Sequence, residues 1–70
     1  MGEKYALTVN EAADYTGIGR NSLRKLINAN KIPVIRIGNK ILTRRTVLEE
    51  LLRVNEGKDI KDMDRTIAVQ

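Results

Sequence analysis

The chain contains no cysteine, no histidine, no tryptophan and no phenylalanine. Without cysteine there is no disulfide, and without cysteine or histidine the common zinc sites cannot be assembled. The same absences remove the thiol nucleophile and the imidazole base that much enzyme chemistry relies on. A cysteine-free composition fits a reducing compartment. No apolar run approaches the roughly 20 residues that cross a bilayer, and no secretory leader opens the sequence. A soluble, cytoplasmic protein is expected. Gly17-Ile18-Gly19 is too short for a phosphate-binding glycine loop. Asp59, Asp62 and Asp64 lie close together but lack the glycine and terminal glutamate of a calcium loop. The chain is therefore expected to be no enzyme, with no catalytic residue, no metal and no cofactor.

What is present is positive charge, and it is unevenly placed. Seventy residues allow one small domain, and the charges sum to 13 basic against 9 acidic. No acidic residue stands between Asp14 and Glu49, whereas that stretch holds Arg20, Arg24, Lys25, Lys31, Arg36, Lys40, Arg44 and Arg45. A solubilising surface normally mixes both signs. A block of one sign on a small domain is the footprint of a nucleic-acid binder.

The order of elements sharpens that reading. Thr8-Val9-Asn10-Glu11 has the spacing of a capping box, with Tyr5-Ala6-Leu7 as a strand or extended lead-in before it. Val9, Ala12, Ala13 and Thr16 then repeat at helical spacing, predicting a helix over 9–16 that Gly17 ends. A second helix is predicted from about Arg20 to Ala29, with Asn30 and Lys31 capping it and Pro33 preventing its continuation. On its wheel Leu23, Leu26 and Ile27 share one side, while Arg20, Arg24, Asn28, Asn21 and Lys25 sweep an arc of about 140°. An ordinary wet helix face pairs lysine with glutamate or aspartate; this face has neither acid. Two helices joined by so short a glycine-containing turn read as a helix-turn-helix.

Val34–Ile37 and Lys40–Thr43 flank Gly38-Asn39, the pattern of a hairpin with a two-residue type II′ loop. A charged hairpin after a helix-turn-helix is a wing. A last helix is predicted from about Arg44 to Asn55, with Thr43 or Thr46 as its cap. Val47, Leu48, Leu51, Leu52 and Val54 supply its apolar side, closing the core with Leu7, Ala12, Leu23, Ile27 and Ile37. Arg44 and Arg45 stand where positive charge opposes the helix dipole, which suggests a phosphate as their purpose. The fold expected is α+β, a winged helix-turn-helix over residues 1–57. Residues 58–70 form a charged tail with little to pack against, either disordered or ordering on a partner. Ile60, Met63 and Ile67 would then offer that partner a narrow apolar stripe.

Certain of these residues are familiar in their order. Leu7-Thr8, Glu11-Ala12-Ala13, Gly17-Ile18, Arg20, Leu23, Lys31-Ile32-Pro33, Arg36, Gly38 and Leu48 resemble the excisionase-type winged-helix DNA-binding domains, relatives of the MerR regulators. The match covers roughly residues 5–54. Tyr5/Leu7/Thr8/Glu11/Ala12, Tyr15/Ile18/Gly19, Asn21/Leu23/Arg24/Leu26 and Asn30/Lys31 are similar to motifs of the small excisionases of conjugative transposons. Gly19 departs from the serine or threonine common before the second helix, and the tail has no clear counterpart.

The resemblance implies a recombination directionality factor that binds and bends DNA at the ends of a mobile element. It would help a tyrosine-family integrase excise that element. It implies that Arg20, Asn21, Ser22, Arg24 and Lys25 enter the major groove, and that Arg36, Asn39 and Lys40 meet the neighbouring minor groove or its phosphates. Asn28, Arg44 and Arg45 complete the expected DNA-binding set. The expected partners are double-stranded DNA, an integrase and further copies of the chain on DNA. A small regulator of a mobile element and a basic protein-interaction module are the alternatives. Asn21 and Arg24 favour DNA, because carboxamide and guanidinium groups read adenine and guanine edges.

Overall fold

Thr8 ends one element and starts the next. It is the last residue of strand β1 (Ala6–Thr8) and the N-cap of helix α1 (Val9–Thr16) in a computed structural model that describes residues 5–69. The Thr8 hydroxyl accepts from the Glu11 amide at 3.2 Å, and Glu11 Oε1 accepts from the Thr8 amide at 3.0 Å, which completes the expected capping box. Gly17, at φ 80°, turns the chain out of α1. The Thr16 hydroxyl braces that turn, donating to the Ala12 carbonyl and accepting from the Ile18 amide.

Helix α2 (Arg20–Asn28) starts at Gly19 without a side-chain cap. Its end is better made. Asn30 takes the left-handed conformation at φ 60°, its amide donating to the Ile27 carbonyl and the Lys31 amide to the Leu26 carbonyl. This is a Schellman motif, with asparagine in place of the usual glycine.

Strands β2 (Ile35–Ile37) and β3 (Lys40–Arg44) then form the predicted hairpin. Gly38 alone of its two loop residues has positive φ, at 58°, as a type II′ turn requires. Strand β3 also pairs with β1, so the sheet has the antiparallel order β1-β3-β2. Ala6 lies opposite Arg44 and Thr8 opposite Leu42 on one edge; Ile35 lies opposite Leu42 and Ile37 opposite Lys40 on the other.

Helix α3 (Arg45–Val54) follows β3 with no intervening residue. The expected threonine caps are not used; Arg44 is the N-cap and makes no side-chain cap bond. Because the strand runs through Arg44, Thr43 is held in the ladder, buried, with its hydroxyl 3.4 Å from the Pro33 carbonyl. The amide of Arg45 is instead taken by the Tyr5 carbonyl at 2.7 Å.

Leu23, Leu26, Leu48 and Leu51 are the largest fully buried side chains, with Leu7, Ala12, Ile27, Ile32 and Val47 around them. Two residues counted toward the core from the apolar pattern are exposed instead. Ile37 lies on the edge strand β2, all three residues of which are exposed, and Leu52 faces outward on α3. The void left in the core is about 10 Å³, so no ligand fits inside. Among the described residues no helix is long and apolar enough to cross a membrane.

The segment after residue 57 differs most from expectation. It folds back on the domain, with Val69 buried in the core and Ile60 and Met63 half-buried against it. Asn55 supplies the means. Almost fully buried, it donates from Nδ2 to the carbonyls of Leu51 (2.9 Å) and Ile67 (3.0 Å) and accepts the Ile67 amide at 2.7 Å. The Val69 amide then donates to the Lys31 carbonyl, just beyond α2. Of the supposed partner stripe, only Ile67 remains exposed.

Asn55→Ala leaves the Ile67 peptide and the Leu51 carbonyl without their buried partner, so we expect a loss of about 2 kcal/mol. Urea denaturation reads this as a lower midpoint at unchanged slope. Truncation after Gly57 also removes Val69 from the core, and its loss is expected to exceed that of Asn55→Ala.

Candidate nucleic-acid interface

The surface of α2 is set by what its other side buries. Leu23, Leu26 and Ile27 anchor the helix in the core, which forces Arg20, Asn21, Arg24, Lys25 and Asn28 outward; Ser22 is half-buried. No acidic residue lies on the helix. Arg20, Asn21, Ser22 and Arg24 share a shallow hollow at its N-terminal end. A second concavity runs between helix and hairpin, lined by Arg24 on one wall and Asn39 and Lys40 on the other. The tip of the wing and the cationic face of α2 thus open onto one groove.

Asn10 belongs to this site although its sequence context did not single it out. It lies in the first turn of α1, lines the groove beside Arg24 and Lys40, and its Oδ1 is 3.4 Å from Arg20 Nη1. An uncharged residue within a capping box gives no charge signal. Only the crossing of α1 over α2 brings it to Arg20.

The other expected residues are distributed differently. Arg36 is exposed on β2, opposite Ile41. Arg44 is exposed at the far end of β3, four residues and therefore about 13 Å from Lys40. The Arg45 side chain is about three-quarters buried, with Nε 3.9 Å from Glu49 Oε2. Glu49 also accepts from the Tyr15 hydroxyl at 2.6 Å. Arg44 and Arg45 therefore form a separate basic locus at the start of α3. There the Thr46 side chain and then the Arg44 guanidinium hydrogen-bond the Tyr5 phenol, holding its pKa below the ordinary tyrosine value.

Of the eight central basic residues, Arg20, Arg24, Lys25, Arg36, Lys40 and Arg44 are exposed, and Lys31 and Arg45 are intermediate. Among the described residues no group of three or more acidic side chains could hold a metal ion. The arrangement offers cations and carboxamides on a protruding helix, with a charged hairpin beside it. It suits a grooved polyanion.

The family described as Helix-turn-helix domain matches residues 6–55, from β1 to the end of α3. The chain belongs to that family. It is a DNA-binding domain of a non-enzymatic kind, and the wing and three helices give it the winged form. The chain is also similar to the excisionase from transposon Tn916 of Streptococcus agalactiae serotype V, at 40% identity over 52 residues. That alignment spans 71% of this chain and 78% of the relative. No solved structure matches.

Arg24 and Lys40 face the same groove from opposite walls, and their substitutions are expected to behave differently. Arg24→Ala costs roughly 1–3 kcal/mol and relaxes preference at one base position, as loss of a bidentate base contact does. Lys40→Ala weakens binding to all sequences about equally, as loss of a phosphate contact does. Competition titrations with specific and random duplexes separate the two; equal, uniform losses contradict the assignment of α2 to base reading.

Proposed function

We propose that this protein is an excisionase, a recombination directionality factor that binds and bends the ends of a mobile element and promotes excision by a tyrosine-family integrase. The observation that carries the reading is the 40% identity to a transposon excisionase across most of both chains. The basic surface of α2 and the wing supports it, because an accessory factor of this kind must hold DNA. Action on chromosomal DNA would place the protein in the cytoplasm. Arg20, Asn21, Ser22, Arg24, Lys25 and Asn28 form the proposed major-groove surface. Arg36, Asn39 and Lys40 are the proposed wing contacts, and Arg44 and Arg45 a flanking phosphate contact. Since Ile60, Met63 and Val69 pack inward, contact with an integrase or with neighbouring copies would use an exposed face of the domain rather than an apolar stripe on the tail.

The test is an in vitro excision reaction with the integrase and element-end DNA, with and without this protein. Excision that depends on its addition supports the reading, and excision indifferent to it contradicts it. Binding itself has a quantitative signature. If the six exposed central cations each neutralise about one phosphate, log affinity falls with log salt at a slope near −5. A flat salt titration contradicts an interface built on this surface.

A further inference from the structure

Six large hydrophobic residues are exposed among those described, and two of them stand together. Ile35 is 52% and Ile37 58% exposed, both on the edge strand β2. Alternation along a strand puts them on one face, and register sets Ile37 opposite Lys40 and Ile35 opposite Leu42. Ile37 immediately precedes the Gly38-Asn39 turn, so it is the apolar side chain nearest the tip of the wing.

Single exposed apolar residues need no explanation. An exposed pair at the end of a cationic hairpin does. Lys40 is directly across from Ile37, Arg36 projects from the opposite face of the same strand, and no acidic residue occurs from 15 to 48. A second copy seated on the same face would bring Lys40 and Arg44, which share that face of β3, against their own equivalents, and like charges would oppose the contact. A polyanion with apolar surface between its charges has the complementary pattern, and duplex DNA offers that in its minor groove. Sugars and base edges lie there between two rows of phosphates. Apolar side chains inserted between base steps from that groove unstack them and kink the duplex.

We propose that Ile37, supported by Ile35, is the wedge by which the wing enters the minor groove and bends DNA, with Arg36 and Lys40 holding the flanking phosphates. The inference rests on the DNA-binding reading above and assigns the bend to one side chain. Lys40 supplies affinity and Ile37 supplies deformation. The two contributions are therefore separable.

The experiment uses the full chain and a duplex of ~20 base pairs, well below the persistence length of ~150 base pairs and short enough, at about 68 Å, for energy transfer between its ends. The duplex carries the sequence that the protein selects from a randomised pool, with a donor and an acceptor fluorophore at its two ends. Energy transfer at saturating protein reports the bend, and titration reports affinity. The parent is expected to raise transfer. Ile37→Thr, which retains a β-branched residue suited to a strand, is expected to lose at least half of that rise while affinity falls less than 10-fold. Ile37→Phe, a larger wedge, is expected to bend at least as much as the parent. It also keeps the question answerable should the threonine variant not fold. A bend unchanged in Ile37→Thr, or reduced in Ile37→Phe, overturns the wedge, as does a parent that binds this duplex without bending it. A parent that associates with itself in the absence of DNA, through a contact that Ile37→Thr abolishes, assigns the face to a second copy and also overturns the wedge. Failure of the parent to bind any duplex removes the DNA-binding reading and this inference together.

Discussion

Strand β3 hydrogen-bonds along both edges, and the positions of all the other elements follow from that pairing. On one side it takes β1, which runs without interruption into α1; on the other it takes β2, which carries the outer arm of the wing. At its own end it becomes α3. Five residues thus set the hairpin relative to the helix-turn-helix and deliver Leu48 and Leu51 to meet Leu23 and Leu26. An isolated hairpin is marginal in water, so the third strand is what makes a stiff wing from so short a sequence. Thr43 illustrates the consequence: committed to the ladder, it is unavailable to cap α3, and the Tyr5 carbonyl takes the first helical amide instead.

Stiffness matters because the proposed DNA-binding surface is made of long, exposed side chains. Arg24, Asn39 and Lys40 open onto one groove only because α2 and the turn of the wing are held at a fixed distance by the buried leucines. The folded-back segment adds to this. Through Asn55 it is fastened to the end of α3, and through the Val69 amide to the turn that closes α2. A domain of this size buries only about 60% of its unfolded surface, so Val69 and the half-buried Ile60 and Met63 are a material addition to its core.

The distribution of charge separates the tasks of folding and binding. The acidic side chains engaged in hydrogen bonds or ion pairs lie outside the central basic stretch: Glu11 in the capping box, Glu49 with Tyr15 and Arg45, Glu50 with Arg53, Asp59 with the Lys61 amide, and Asp62 with Arg65. They serve one helix terminus, local ion pairs and turns, and the contact between α1 and α3 that Glu49 makes with Tyr15, leaving the face of α2 and the wing without a competing carboxylate. Arg45 shows the limit of reading charge from sequence. It is one of eight basic residues in the central stretch, yet its side chain is about three-quarters buried beside Glu49, whereas Arg24 is exposed.

The secondary structure was legible in the residues because its signals are local. The capping box at Thr8, the left-handed exit at Gly17, the cap at Asn30 and Lys31 and the Gly38 turn each act over three or four residues, and the structure has them where the pattern put them; that Asn30 is itself left-handed is seen only in the structure. The cationic face of α2 was legible for the same reason, since helical spacing alone separates Leu23, Leu26 and Ile27 from the arginines. Other features depended on contacts distant in sequence. The pairing of β1 with β3, the exposure of Ile37, the place of Asn10 in the groove, and the burial of Val69 with its amide bonded to Lys31, 38 residues earlier, are of that kind. An apolar residue carries no mark of which surface will cover it. The tail read as free because its charges are dense and local, whereas its burial depends on one asparagine reaching across 12 residues to the Ile67 peptide. Sequence by itself determined which segments are helix, strand and turn and where the positive charge lies; only the assembled core decided which apolar groups it had room to bury.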